Sequence, residues 1–310
     1  MPAAAVAVLS PGEMGSNVGR ILVEGGKRVL TCLEGRGPGS AERAEQAGFT
    51  CISDLAELVA QVELVVSVVP PAAAEPVARL VAQSLTVRGE PGFGDGKSAG
   101  RSAAESSARA LAQGRRLLYL DANSIGPETA ERIAKCVTDA GADFVDGCII
   151  GGARDLRGRS RFYLSGPSAQ VVAEVLQPLN VSVLGARPGQ ASAFKVLYAG
   201  VTKGLSAMGM ELLAGAELLG VSDELLEKLR LDWPNVADFF ARNLPGLPPR
   251  AKRRAQEMEE LAETLEHLGI AAPVARGAQV GLEAVAERYD RERPHEAETL
   301  DEVTRWWAQP

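Results

Sequence analysis

Histidine is almost missing from this chain: of 310 residues only two, His267 and His295, carry an imidazole. Both stand beside charged or polar residues, so neither a histidine-based catalyst nor a metal site is expected. Cysteine is sparse as well. The four present (Cys32, Cys51, Cys136, Cys148) form no C-x-x-C pair. Cys32 and Cys148 lie in apolar runs, which reads as buried, reduced thiols rather than a disulfide framework. Positive charge is in deficit, with a net charge of −7, so no nucleic-acid footprint is expected. A local cluster of donors would still hold an anion on such a surface. No uninterrupted apolar run approaches the ~18 residues that span a bilayer. No cationic stretch followed by a hydrophobic segment and a cleavage site opens the sequence. The expectation is a cytoplasmic protein with neither membrane nor nucleic acid among its partners. What remains is an ordinary globular composition, 46% hydrophobic and 24% charged, long enough for two domains.

The most informative segment is Val6-Ala7-Val8-Leu9-Ser10-Pro11-Gly12-Glu13-Met14-Gly15. An apolar run of strand length ends in Ser-x-Gly-x-x-Gly. A helix-like stretch to Glu24 follows, with Val18, Ile21 and Leu22 at helical spacing, and then a second apolar run, Val29 to Leu33. That order opens a dinucleotide-binding βαβ fold. Gly12 would let the backbone approach a pyrophosphate, Gly15 would let helix and strand pack closely, and the helix N-terminus would hold the phosphates. The first glycine of the usual fingerprint is replaced by Ser10.

Strand and helix patterns alternate from residue 1 to about 187. Strands are expected at 4–9, 28–33, 63–69, 117–121, 143–150, 161–165 and 181–184, each bounded by Gly, Pro, Asp or Ser. Runs without strict polar alternation suit a mostly parallel sheet buried on both faces. Helices are expected at 53–60, 73–84, 102–113, 127–138 and 168–177, with a surface loop at 89–101 that lacks Walker spacing. Beyond Gly189 strand signals stop, and helical periodicity fills 190–220, 222–230, 233–243, 249–268 and 272–287. The fold class is therefore α/β. A Rossmann-type doubly wound domain over 1–187 is joined to an all-helical substrate and dimerisation domain over 188–310.

Five motifs occur in order: the glycine turn, Val65-Val66-Ser67-Val68-Val69-Pro70-Pro71, Leu120-Asp121-Ala122-Asn123-Ser124, Phe144-Val145-Asp146-Gly147-Cys148-Ile149-Ile150-Gly151-Gly152, and Gly189-Gln190-Ala191-Ser192-Ala193-Phe194-Lys195. Together they resemble the β-hydroxyacid dehydrogenase superfamily. The variants Gly-Glu-Met-Gly, Asp-Ala-Asn-Ser and Lys195-x-x-Tyr198 look most like its 6-phosphogluconate dehydrogenase-like branch with a C-terminal domain of unknown function. The resemblance implies hydride transfer between a nicotinamide cofactor and a small 3-hydroxy acid or related carbonyl compound.

On that resemblance Lys195 is the catalytic lysine. Its flanks are apolar, and a partly desolvated lysine has its pKa lowered toward the working range of a general acid/base. Tyr198 and Thr202 share its helix face. Tyr198 is a second catalytic candidate, because the family's Asn four residues after the lysine is here Ala199. Substrate contacts are expected from Asn123, Ser124, Gly151, Gly152 and Thr202. Ile150 replaces the serine that precedes the glycine pair, which implies a less polar or differently shaped substrate. Cofactor contacts are expected from Ser10, Pro11, Gly12, Glu13, Met14, Gly15, Val69, Pro70 and Pro71. At the end of the second strand Leu33 stands where an NAD-type acid would be. Glu34 argues for NAD and Arg36 for NADP, and the apolar Leu33 tips the expectation to NADP(H). The helix Ala191 to Leu219 is apolar nearly all round and must be covered nearly all round. With the resemblance, that predicts a homodimer. Two other readings share the scaffold: imine reduction, which Lys195 disfavours, and a cofactor-binding sensor or scaffold without turnover, which Ala199 and Ile150 allow.

Overall fold

The computed structural model describes residues 5–86, 116–295 and 297–309. The loop expected at 89–101 and the helix expected at 102–113 lie outside the described residues. The chain divides into two compact units, Met1–Lys195 and Val196–Pro310.

In the first unit eight strands form one sheet in the order β3-β2-β1-β4-β5-β6-β7-β8. They are β1 (Ala5–Leu9), β2 (Arg28–Cys32), β3 (Thr50–Ile52), β4 (Leu64–Ser67), β5 (Leu118–Asp121), β6 (Asp143–Ile150), β7 (Arg161–Ser165) and β8 (Val181–Gly185). All neighbours pair parallel except β6 and β7, which are antiparallel. Side chains alternate across a strand, and here both faces are apolar. Val6, Val8, Leu64 and Val66 enter one core, while Ala7, Leu9 and Val65 enter the other. That is why β1 and β4 read as unbroken hydrophobic runs.

The described helices of this unit are α1 (Glu13–Glu24), α2 (Pro38–Gln46), α3 (Leu55–Ala60), α4 (Pro71–Thr86), α5 (Pro127–Asp139) and α6 (Ala169–Val175). Two elements were not expected. β3 is a three-residue edge strand with no fully buried residue, and α2 buries only Ala44. Neither has an apolar face from which a period could be read.

Helix α7 (Gln190–Leu219) crosses the division between the units. The second unit continues with α8 (Ser222–Asp232), α9 (Pro234–Asn243), α10 (Ala251–His267), α11 (Pro273–Glu292) and α12 (Leu300–Ala308). Its core gathers Met210, Leu213, Phe240, Met258, Leu282 and Val303, among others. The unexpected α12 opens with a capping box, in which Thr299 and Glu302 each satisfy the other's backbone amide. Trp306 and Trp307 pack against this core, and the Arg288 guanidinium lies 5.2 and 5.7 Å from their ring centres. No described helix is long and apolar enough to cross a membrane.

Candidate functional site

The turn after β1 leaves the start of α1 open. Ser10 adopts φ +68, the left-handed conformation that favours glycine. That accounts for the glycine usual at this position in the fingerprint. The Gly12 amide donates to the Ser10 carbonyl at 2.8 Å. Gly12 then caps α1 with no side-chain hydrogen bond to its first-turn amides. A Cβ on Gly12 would meet nothing within 4 Å, whereas one on Gly15 would lie 2.5 Å from the Ser10 carbonyl oxygen. Gly15 thus has a packing reason, and Gly12 leaves room for a ligand. Glu13 is exposed and Met14 half-buried. Uncapped amides, room at Gly12 and a tight turn fit the pyrophosphate of a dinucleotide.

One contact at this turn went unrecognised in the sequence. Arg43 of α2 donates from Nε to the Pro11 carbonyl at 2.8 Å, and its Nη2 lies 3.5 Å from Ser40 Oγ. Beyond β2, Glu34 and Arg36 are exposed on a turn closed by the Arg36 amide donating to Leu33.

A buried polar network joins the ends of β4 and β5. Asn123, 2% exposed, accepts the Val69 amide at 2.6 Å through Oδ1. Its Nδ2 donates to Ser67 Oγ and to Asp121 Oδ2, and its backbone amide donates to Asp121 Oδ1. Both ends of the Asn123 amide are thus engaged inside the protein, where they brace the segment that leads into Pro70 and Pro71. Ser124, next in sequence, is exposed.

Asp121 and Asp146 are register partners on β5 and β6, and both are fully buried. Asp146 accepts from Ser165 Oγ at 3.0 Å, from the Ser192 amide at 3.0 Å and from Ser192 Oγ at 2.6 Å. Ser165 Oγ in turn accepts the Ala191 amide at 3.0 Å. The first turn of α7 is thereby pinned to the sheet. Lys195 follows three residues after Ser192, on the same helix face. It is half-buried and close enough to act electrostatically on the first unit's interior. Burial pushes the Asp121 carboxyl up to about 7, against the Asn123 hydrogen bonds; Asp146 adds to the rise and Lys195 opposes it. Burial likewise pushes the Cys148 thiol up to about 12, with Lys195 again opposing. The structure therefore brings both Lys195 and Asp146 within electrostatic reach of Asp121 and of Cys148. The two aspartates carried no functional assignment in the sequence. Their pairing exists only through strand register.

Gly151 has φ +125, and a Cβ there would fall 2.2 Å from Ser160 Oγ, so only glycine fits. Gly152 has open space and caps a short 3₁₀ turn, Ala153–Asp155. Tyr198 and Thr202 belong to the second unit. Tyr198 is half exposed, and the Thr202 hydroxyl donates to the Ala199 carbonyl of its own helix at 3.1 Å.

Residues 216–285 match the family model described as "Domain of unknown function (DUF1932)". An uncharacterized 28.5 kDa protein from Methanothermus fervidus, in a 7S RNA 5′ region, is 27% identical over 236 residues, 75% of this chain and 80% of its own. The solved structure of MTH1747, a conserved protein of unknown function described as structurally similar to 3-hydroxyacid dehydrogenases, superposes with a TM-score of 0.73 at 26% identity. It covers 99% of this chain and 100% of its own. The Mycobacterium tuberculosis 3-hydroxyisobutyrate dehydrogenase, solved with L-serine, gives 0.70 at 18% identity, covering 99% and 100%. The fold is that of the 3-hydroxyacid dehydrogenases. The branch expected from the motifs, with its C-terminal domain of unknown function, agrees with these findings.

Proposed function

We propose that the chain is a nicotinamide-dependent oxidoreductase that acts on a small 3-hydroxy acid or related carbonyl compound, with Lys195 as general acid/base. The observation that carries this reading is the anchoring of Lys195: Asp146 pins the helix turn before it, beside the buried Asp121. A bound nicotinamide dinucleotide would supply the hydride donor or acceptor. Gly12 and the first-turn amides of α1 would hold its pyrophosphate, with Ser10, Pro11 and Gly15 fixing the turn. Val69, Pro70 and Pro71, braced by Asn123, would shape the next wall. Lys195 would give a proton to the substrate oxygen during reduction and remove it during oxidation. Amides at Gly151 and Gly152, with Ser124, would contact the substrate. Hydride-transfer screening across hydroxy acids, aldehydes and imines, read at the nicotinamide absorbance, tests the reading. Turnover of a hydroxy acid or its oxo partner supports it; turnover of imines alone overturns it.

We also propose a homodimer through α7. Val201, Leu205, Met208, Leu212 and Leu219 follow alternating heptad spacing. Val201, Met208, Leu212 and Leu219 are 61%, 47%, 52% and 79% exposed within one chain. A second copy would cover them. A dimeric mass by light scattering at micromolar concentration is expected, and a monomeric mass refutes the proposal.

A further inference from the structure

We propose that Arg43 and Ser40 read a phosphate on the 2′ position of the cofactor's adenosine ribose, so that this chain takes the phosphorylated nicotinamide dinucleotide. The proposal rests on the oxidoreductase reading and names which form of cofactor its site accepts. In an open parallel sheet of this order the adenosine ribose lies outside the carboxyl end of β2, beside the Gly-rich turn. The chain follows β2 with Leu33, which cannot accept hydrogen bonds from ribose hydroxyls, and then with α2. Arg43 reaches from α2 to the turn itself, its Nε held on the Pro11 carbonyl at 2.8 Å. That tether uses one of the five guanidinium donors and leaves the Nη fork beside Ser40 Oγ. A planar fork and a hydroxyl side by side match a phosphate monoester.

Charge points the same way. Among the described residues no carboxylate stands within ion-pair distance of Arg43, whereas Arg20 on the neighbouring α1 is paired with Glu24. The acids nearest in sequence, Glu34, Glu42 and Glu45, are exposed. Arg36, the residue singled out by its position after β2, is exposed, as Arg43 is, but among the described residues it has no comparable tether. A side chain already fixed in place loses less conformational entropy on binding than one that must be ordered. Arg43 is thus the better-prepared anion contact, with Arg36 a peripheral one.

The test uses the full chain and direct binding, by calorimetry, of NADPH and NADH and of adenosine 2′,5′-bisphosphate and AMP. The unmodified protein should bind the 2′-phosphorylated member of each pair at least about tenfold more tightly, the value of one charge-assisted contact. Arg43→Ala should remove most of that ratio, weakening NADPH about tenfold more than NADH, which loses only the tether on the Pro11 turn, with Ser40→Ala acting more weakly in the same direction. Arg36→Ala should leave most of the ratio. Equal affinities in the unmodified protein overturn the proposal. So does an Arg43→Ala variant that weakens NADH and NADPH equally, since Arg43 would then only brace the turn. So does a ratio that collapses in Arg36→Ala alone. If Arg43→Ala does not fold, Arg43→Lys keeps the charge without the fork, and an undiminished ratio there is the overturning result. Binding of neither dinucleotide would overturn the oxidoreductase reading itself, a failure distinct from equal binding of both.

Discussion

Helices α1 and α7 begin against the same sheet and treat their first turns in opposite ways. At α1 the cap is a bare glycine, and no side chain satisfies the first amides. At α7 the amides of Ala191 and Ser192 are met by buried Ser165 and Asp146. A glycine cap gives up only about a few tenths of a kcal/mol relative to a good side-chain cap, so α1 keeps its first amides clear of side chains at little loss of stability. A start sealed by a buried hydroxyl and a buried carboxyl does the reverse: it fixes the helix and whatever the next turn carries. On the proposed function, the difference separates a place that would receive a ligand from a scaffold that would aim a side chain.

The strongest challenge to that contrast is Lys195→Met, which keeps the stem and removes the ammonium. Turnover of any substrate found by screening should fall by roughly 10²–10⁴-fold with folding and dinucleotide affinity nearly unchanged. If more than about a tenth of the activity survives, α7 does not aim a general acid.

Next in size is Asp146→Ala. It strips the acceptor from Ser165 Oγ, the Ser192 amide and Ser192 Oγ, and urea unfolding should show a loss of about 2–4 kcal/mol. Asp146→Asn, which keeps one acceptor oxygen, should lose less. A variant Asp146→Ala as stable as the parent would mean that the α7 start is not held as described.

The third expectation is a pH dependence. Burial raises the Asp121 carboxyl from its ordinary 3.8 to about 7. Below about pH 4 the folded and unfolded chains both hold this proton, and the stability from Asp121 is fully present. Between about 4 and 7 the unfolded chain ionises first, so stability falls, by at most about 1.4 kcal/mol per pH unit. Above about 7 the loss is complete. The difference in unfolding free energy between the parent and Asp121→Asn should follow that window; a difference that stays flat from pH 4 to 8 would show that Asp121 ionises normally.

The smallest effect sharpens the other half of the comparison. Gly12→Ala adds a methyl where there is open space, at φ −74, which any residue adopts. Its stability should stay within about 0.5 kcal/mol of the parent, while dinucleotide affinity drops about tenfold or more as the methyl enters the cradle. Unchanged affinity would remove Gly12 from the cofactor site.

Much of this was legible because apolar burial leaves a period. The runs at β1, β4, β5 and β6 and the glycine turn announced the sheet, and Gly189 marked where helices take over. Elements that bury little were silent. Thr50–Ile52 and Pro38–Gln46 have almost no inward face. Arg43 was hidden with its helix, because its partner, the Pro11 carbonyl, is 32 residues away in sequence. Asp121 and Asp146 were visible within motifs, yet their shared role comes from register between β5 and β6 and from Ser165 and Ser192. Helix α12 was readable in principle, since Thr299-x-x-Glu302 before an apolar run is a capping-box signature.

The clasp of Arg288 over Trp306 and Trp307 has an optical consequence. The chain has three tryptophans, and the third, Trp233, also lies beyond Val196. Indole emission is therefore a private signal of the helical unit, and the sheet unit is dark at that wavelength. Melting followed by fluorescence tracks the loss of the guanidinium-indole stack, while far-ultraviolet dichroism sums both units. Superimposed curves would mean one cooperative transition, and separated curves two. The helical unit's response to an added dinucleotide can then be read without a label.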